Sequence, residues 1–283
     1  MYIYQNGEFV LETKARISPF DHGFLYGLGV FETFRIYDGH PFLLDDHFQR
    51  LAVSLKELNI LFDLKKDDFL EIITSLLKLN KLNNAYIRFN ISAGEAPIGL
   101  QTEAYTKPNV IIFIKPLVTP LVRTKKATFL QTVRNTPEGF ERLKSHHYLN
   151  SILGKREVPD MNTEGVFLTN DGYVAEGVVS NIFWVKNGQV YSPAIKTGIL
   201  NGITRQFVIE LLKKNEVAFN EGYYLPQDVL DADEVFITNS IQEIVSISML
   251  NEVEYSSEGK VTHFLQKLYD DFKSQRLWSM KQL

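Results

Sequence analysis

At 283 residues, with 45% hydrophobic and 23% charged side chains, the chain has the composition of an ordinary globular protein and is long enough for two domains. A formal net charge of −4 gives no reason to expect nucleic acid or an anionic membrane as a partner, and a chain without cysteine has no disulfide, no thiolate catalysis and no cysteine-based metal site. No apolar run approaches the roughly 20 residues of a membrane span, and "MYIYQNGEFV" has neither the basic nor the apolar region of a signal peptide, so a cytoplasmic protein is expected.

The first predicted element is a hairpin, because Asn6-Gly7 stands between two alternating runs in "YIYQNGEFV". Asp38-Gly39 marks a second in "FETFRIYDGHPFLL". In "LLDDHFQRLAVSLKELNI", Phe48, Leu51, Leu55 and Leu58 recur at helical spacing, with Asp45 or Asp46 available as a cap. "DDFLEIITSLLKLN" predicts a second amphipathic helix, followed by strands over "AYIRFNISAG" and "NVIIFIKPL". The proline-interrupted "KPLVTPLVRTKK" is the best linker, which divides the chain into an N-terminal domain over 1–117, a linker over 118–124 and a C-terminal domain over 125–283. Beyond it come a strand, the stretch "ERLKSHHYLNSILGKRE" with its helix, and hairpins at Asp171-Gly172 and Asn187-Gly188. A helix over "GITRQFVIELLKKN", a strand over "DEVFITNS" and a last helix over "FLQKLYDDFKSQRLW" complete the chain. Four turn-marked hairpins predict a strand-rich α+β fold built on antiparallel pairs, in two lobes, rather than a doubly wound sheet.

Lys144 precedes a helix among Ser145, His146, His147 and Tyr148, with no carboxylate close by in sequence to lock it as an ammonium ion. A partly desolvated lysine of this kind forms Schiff bases with aldehydes, although most lysines are solvated surface charges. Adjacent histidines point in different directions, and no second cluster stands at ligand spacing, so no metal site is expected. Glu176 ends a strand beside Gly177, Ser180 and Asn181; it suits a ring-nitrogen partner or, equally, a turn glutamate. Gly202 and Thr204 open a helix and offer either an anion site or a plain cap. Thr238, Asn239 and Ser240 leave a strand as phosphate donors or as turn formers, and Arg50 is either a bidentate phosphate contact or a surface arginine. The "GLG" at Gly27 and Gly29 has neither the preceding strand nor the third glycine of a dinucleotide fingerprint.

In order along the chain, "FDHGFLYGLGVFETFR", "HFQRL", the lysine before its helix, "EGVVSN", "GITR" and "ITNS" resemble the class IV aminotransferase family, the fold-type IV pyridoxal-phosphate enzymes, over essentially the whole chain. "RNTPEGFERLKSHHYLN" and "AEGVVSNIFW" are most similar to members that split pyruvate from 4-amino-4-deoxychorismate to give 4-aminobenzoate for folate synthesis. The resemblance implies pyridoxal 5'-phosphate as cofactor, Lys144 as its Schiff-base lysine and acid/base, and Glu176 at the pyridine nitrogen. It implies that Arg50, the backbone at Ile203, Thr204, Asn239 and Ser240 hold the phosphate, and that Tyr148 lies near the cofactor's 3'-oxygen. A homodimer is implied too. Val178 departs from the small residue or isoleucine usual in the family at that place, with no loss of function expected.

The alternative is a branched-chain or D-amino-acid transaminase of the same family. Phe31 stands where the D-amino-acid enzymes resemble one another in a tyrosine, and "SAGEAPIGLQ" lacks their Arg-x-His carboxylate trap. Phe31, Arg88, Arg134 and Arg142 are the candidates on the substrate side, the arginines for carboxylates or as surface charges. A non-catalytic binding protein on the same scaffold would be expected to lack the lysine or the glutamate. A strand-rich carbohydrate-binding module would show rows of surface aromatics, whereas "FLYGLGVF" reads as core.

Overall fold

A computed structural model describes residues 1–63, 65–117, 121–256 and 259–283. The chain forms two compact units: one of Met1–Thr119, Leu143–His147 and Arg276–Ser279, the other of Pro120–Arg142, Tyr148–Gln275 and Met280–Leu283. The expected linker lies in its first three positions outside the described residues, and at its far end Thr124 already opens a strand.

The first unit is built on strands β1 (Tyr2–Gln5), β2 (Glu8–Leu11), β3 (Gly29–Tyr37), β4 (His40–Pro41), β5 (Ala85–Ser92) and β6 (Asn109–Pro116). They form a sheet in the order β2-β1-β6-β5-β3-β4, and every pairing in it is antiparallel. The turns at Asn6-Gly7 and Asp38-Gly39 are as expected, both residues of each taking positive φ as a two-residue hairpin turn requires. Three helices accompany the sheet: α1 (His22–Tyr26), α2 (Leu44–Glu57) and α3 (Lys66–Asn80). Leu51 and Leu55 of α2 and Phe69, Ile73 and Leu76 of α3 are buried against Phe34, Ile36, Ile87, Phe89 and Ile112 of the sheet. Phe69 meets Phe48 and Phe89 at ring-centroid distances of 5.0 Å each.

The start of α2 is not capped by Asp45 or Asp46. Leu43 occupies the cap position in the left-handed region (φ 56°) without a side-chain cap bond. The orphan N–H groups of this end are met by remote backbone: Leu43 donates to the Leu277 carbonyl and Asp45 to that of Trp278, each at 3.0 Å. Asp46 accepts instead from Ser279 Oγ at 3.0 Å.

Leu143–His147 also belongs to this first unit, whereas the linear division of the sequence placed Lys144 in the C-terminal domain. The reason is backbone pairing along β3: Phe31 N–H donates to the Lys144 carbonyl at 2.9 Å, and His146 N–H to that of Gly29 at 3.0 Å. Gly29 has to be glycine here, since a Cβ would overlap the His146 ring.

The second unit holds β7 (Thr124–Phe129), β8 (Thr163–Leu168), β9 (Val174–Gly177), β10 (Asn181–Lys186), β11 (Gln189–Pro193), β12 (Phe219–Gly222), β13 (Glu234–Asn239), β14 (Glu243–Leu250) and β15 (Val253–Glu254). Their order is β12-β11-β10-β13-β14-β7-β8-β9, with β15 paired to β14. Hairpins at Asp171-Gly172 and Asn187-Gly188 join β8 to β9 and β10 to β11. The sheet is mixed, however: β7 runs parallel to both β14 and β8, and β11 parallel to β12. Its helices are α4 (Leu149–Arg156), α5 (Ile203–Lys214), α6 (Pro226–Leu230) and α7 (Lys260–Ser274), the last beginning four residues before the expected "FLQKLYDDFKSQRLW" and ending short of it. Val235 and Ile237 of β13 bury with Trp184, Val245 and Ile247, while Phe207 of α5 meets Tyr269 of α7 at 5.5 Å.

The first unit depends on the core between its helices and sheet, so Leu76, fully buried, is a direct probe of it. Leu76→Ala is expected to lower unfolding stability by about 2–5 kcal/mol, read from urea titration, because the surrounding α3–sheet packing cannot close on the lost volume.

Candidate active site

In the first unit the site grows from one strand. Along β3, Val30, Glu32, Phe34 and Ile36 share a face, and all four are buried. A carboxylate among core residues requires partners, and α2 supplies them one turn apart. Arg50 donates from Nε to Glu32 Oε1 at 2.7 Å and from its terminal nitrogen to Oε2 at 2.6 Å, while His47 Nδ1 lies 2.6 Å from Oε2. Burial by itself would raise the Glu32 carboxyl; Arg50 and His47 outweigh it and hold it at about 2. Burial likewise keeps the His47 imidazole below its ordinary value, which makes it a neutral Nδ1–H donor to the carboxylate at neutral pH.

On the other face of β3, Phe31 is buried, with the Arg88 guanidinium carbon 3.6 Å and the Lys144 amine 4.7 Å from its ring centroid. Asn90 Oδ1 lies 3.3 Å from an Arg88 nitrogen and 3.0 Å from His146 Nε2. Burial and then the Arg88 charge push His146 down to about 4, so it is neutral at neutral pH. Lys144 thus stands half-buried beside an aromatic ring, two positions before a neutral imidazole, its backbone fixed by β3.

The second unit places Glu176 at the end of β9, buried. Its Oε1 accepts from Arg134 Nε and from an Arg134 terminal nitrogen, both at 2.8 Å, and Arg142 Nε lies at 3.7 Å. Its Oε2 accepts from the Leu200 N–H at 2.9 Å and faces Asn181 Nδ2 at 3.4 Å. Asn181 also donates to the Leu200 carbonyl at 2.8 Å, and a Cβ at Gly202 would overlap its side-chain oxygen. The carboxylate and the start of α5 are therefore one hydrogen-bonded piece. Arg142 is held by the Gly198 carbonyl at 2.5 Å and by Asn135; burial, and then Arg134, bring it down to about 10, still a cation at neutral pH.

At the start of α5, Gly202 is the cap residue and makes no side-chain cap bond. Ile203 and Thr204 are buried in its first turn, and Thr204 Oγ1 is 3.4 Å from Ser240 Oγ. Asn239 has its side chain in a turn, accepting from Ile241 at 2.9 Å and Gln242 at 2.7 Å. Tyr148 is the cap residue of α4, with its carbonyl accepting from Ile152. Two hydroxyls at the N-terminus of a twelve-residue helix without a side-chain cap fit a phosphate, and a fixed carboxylate fits a protonated ring nitrogen; the residues of this chain thus suit a pyridoxal phosphate. Among the described residues no group of three or more His, Cys, Asp or Glu could hold a metal ion, and no helix is long and apolar enough to cross a membrane.

Of the expected residues, the first unit brings together Lys144, Phe31 and Arg88 and places Arg50 on Glu32. The second brings together Glu176, Arg134 and Arg142, and separately Thr204 and Ser240. Two of the three arginines expected for substrate carboxylates, Arg134 and Arg142, are thus engaged with a protein carboxylate. Sequence reasoning passed over Glu32, His47 and Asn90. For Glu32 a signal existed: an acidic residue on the apolar face of "GVFETFRIY".

The profile of the family described as Amino-transferase class IV matches residues 29–250. The chain is 49% identical to the aminodeoxychorismate lyase of Bacillus subtilis (strain 168) over 274 residues, covering 94% of this chain and 93% of that protein. The crystal structure of the Escherichia coli branched-chain amino acid aminotransferase superposes with a TM-score of 0.85 at 29% identity, covering 95% of this chain and 93% of that one. A branched-chain amino acid aminotransferase from T.th., solved with pyridoxamine 5'-phosphate, superposes at 0.86 and 26% identity, covering 97% of this chain and 94% of that one.

The depressed Glu32 carboxyl has a consequence for acid stability. Because its folded value of about 2 lies below the ordinary 4.5, the ionised group stabilises the fold above about pH 4.5 and loses that contribution as pH falls toward 2. The difference in stability between the native chain and Glu32→Gln, on the order of 3 kcal/mol above pH 5, is expected to shrink steadily between about pH 5 and about pH 2. Urea midpoints across that range measure it, and a difference independent of pH would contradict the assignment.

Proposed function

Because the chain belongs to the amino-transferase class IV family, we propose that it is a pyridoxal-phosphate-dependent lyase that converts 4-amino-4-deoxychorismate into 4-aminobenzoate and pyruvate. The observation that carries this reading is the 49% identity to the Bacillus subtilis aminodeoxychorismate lyase over nearly the whole of both chains. Pyridoxal phosphate, when bound, supplies an electron-withdrawing ring that takes up charge from the amine-bearing carbon of the substrate.

The chain's residues divide the remaining work. Lys144 would hold the cofactor through its aldehyde and would take the proton from the amine-bearing carbon of the substrate. Loss of that proton would let the ring C–O bond to the neighbouring enolpyruvyl group break with its electron pair, so that the ring becomes aromatic and the enolate of pyruvate leaves and takes up a proton at its methylene carbon. The half-buried position of Lys144 in the first unit suits an amine that takes up and releases a proton at a bound substrate. Glu176 keeps a proton on the ring nitrogen, and Arg134 and Arg142 hold its carboxylate in place. The N–H groups at Ile203 and Thr204, the Thr204 and Ser240 hydroxyls, the backbone around Asn239 and the Arg50 guanidinium grip the phosphate. Tyr148 serves the cofactor's 3'-oxygen. Arg88, stacked on Phe31, would receive a carboxylate of the substrate.

A transaminase would use the same cofactor residues; the relative at 49% identity favours the lyase. We also infer a homodimer acting in the cytoplasm. Phe20, Phe24, Leu25, Ile98 and Leu100 of the first unit are exposed, an apolar surface that a second copy would cover.

Lys144→Ala tests the assignment. The variant is expected to lose the visible absorbance of the bound cofactor and to form 4-aminobenzoate roughly 10²–10⁴-fold more slowly. A variant that keeps both the absorbance and the rate would remove Lys144 from the chemistry.

A further inference from the structure

Glu32 is used by no step above, yet it is the most completely enclosed carboxylate of the first unit's site, 1% exposed in a strand whose same-face neighbours are Phe34 and Ile36. Enclosing a carboxylate in a core costs free energy unless its partners compensate, so its place there calls for a reason. The geometry supplies one. His47 and Arg50 lie one turn apart on α2 and present both side chains to the same carboxylate, with His47 occupying Oε2 and Arg50 gripping Oε1 and Oε2 side-on. The two bonds to Arg50, at 2.7 and 2.6 Å, give its guanidinium a single plane and a single direction, and the 2.6 Å contact from His47 fixes the carboxylate that holds it.

We propose that Glu32, braced by His47, is a positioning residue that holds Arg50 in the orientation in which it takes the cofactor's phosphate. The inference rests on the reading that Arg50 is a phosphate ligand and adds to it the residue that aims the guanidinium. An arginine side chain free to rotate loses rotamer entropy when it is fixed on a ligand. Arg50 has lost that freedom in advance, on folding, so the phosphate meets a prepared fork.

The proposal has a sign that separates it from simple electrostatics. Glu32 is a negative charge beside the place of a negative phosphate, so by Coulomb's law alone its removal should tighten phosphate binding. Positioning requires the opposite: without the carboxylate the guanidinium turns away or samples several orientations, and binding weakens.

The experiment compares pyridoxal 5'-phosphate with pyridoxal, which has the aldehyde and ring but no phosphate. Affinities of both for the cofactor-free full-length chain are measured by absorbance titration for native protein, Glu32→Gln, Glu32→Asp and Arg50→Gln. Glu32→Gln is expected to weaken pyridoxal phosphate roughly tenfold and to leave pyridoxal within about twofold. Glu32→Asp, which keeps the charge but withdraws it by one methylene, should move in the same direction by less, and it carries the test if the glutamine variant does not fold. Arg50→Gln reports on the underlying reading: if it leaves the ratio of the two affinities unchanged, Arg50 does not hold the phosphate. If Arg50→Gln lowers the ratio while the Glu32 variants leave it unchanged or raise it, the positioning role is overturned. An equal loss of both ligands in the Glu32 variants would also overturn it, since it would mark a purely structural carboxylate.

Discussion

Two backbone hydrogen bonds place Lys144. Phe31 N–H to the Lys144 carbonyl and His146 N–H to the Gly29 carbonyl lay residues 143–147 along β3. That pairing does several things together. It removes Lys144 from the unit to which its chain neighbours belong, sets its amine beside the Phe31 ring, and brings it within electrostatic reach of His47. It also makes Gly29 obligatory, since the pairing presses the His146 ring against the strand. Lys144 is therefore not a side chain on a mobile loop; its position follows from the register of a sheet.

The charged groups around the site obey one rule, that a buried carboxylate is matched on each oxygen. Glu32 is matched by Arg50 and His47, and Glu176 by Arg134, Asn181 and the Leu200 N–H. In both cases the partner arginine comes from a different element than the carboxylate, so the ion pair ties elements together as well as neutralising charge. The Glu176 arrangement extends further, because Asn181 and Leu200 lead directly to the start of α5. Glu176 and the start of α5 are thereby fixed relative to each other within the second unit.

Much of this was legible in the chain. The Asn-Gly and Asp-Gly turns marked the hairpins because their φ requirements are local. The amphipathic stripe of α2 was visible because helical period and burial coincide at Leu51 and Leu55. The order of short motifs pointed to the family. What was hidden depends on distant sequence. The cap of α2 is supplied by carbonyls at Leu277 and Trp278, so Asp45 and Asp46 were misleading. The parallel pairings of β7 have no turn to announce them. Arg134 and Arg142 read as substrate-side or surface arginines because their partner, Glu176, stands far along the chain. Leu143–His147 could not be assigned to the first unit from a linear division, since a pairing with β3 leaves no mark in local composition.

The central claim is elimination rather than amino transfer at a shared set of cofactor residues. The most direct test gives the cofactor-loaded protein enzymatically made 4-amino-4-deoxychorismate with no keto acid present, and follows 4-aminobenzoate and pyruvate together. The account predicts that both appear at equal rates and in equal amounts. Neither product, with turnover of branched-chain or D-amino acids that depends on an added keto acid, would contradict it.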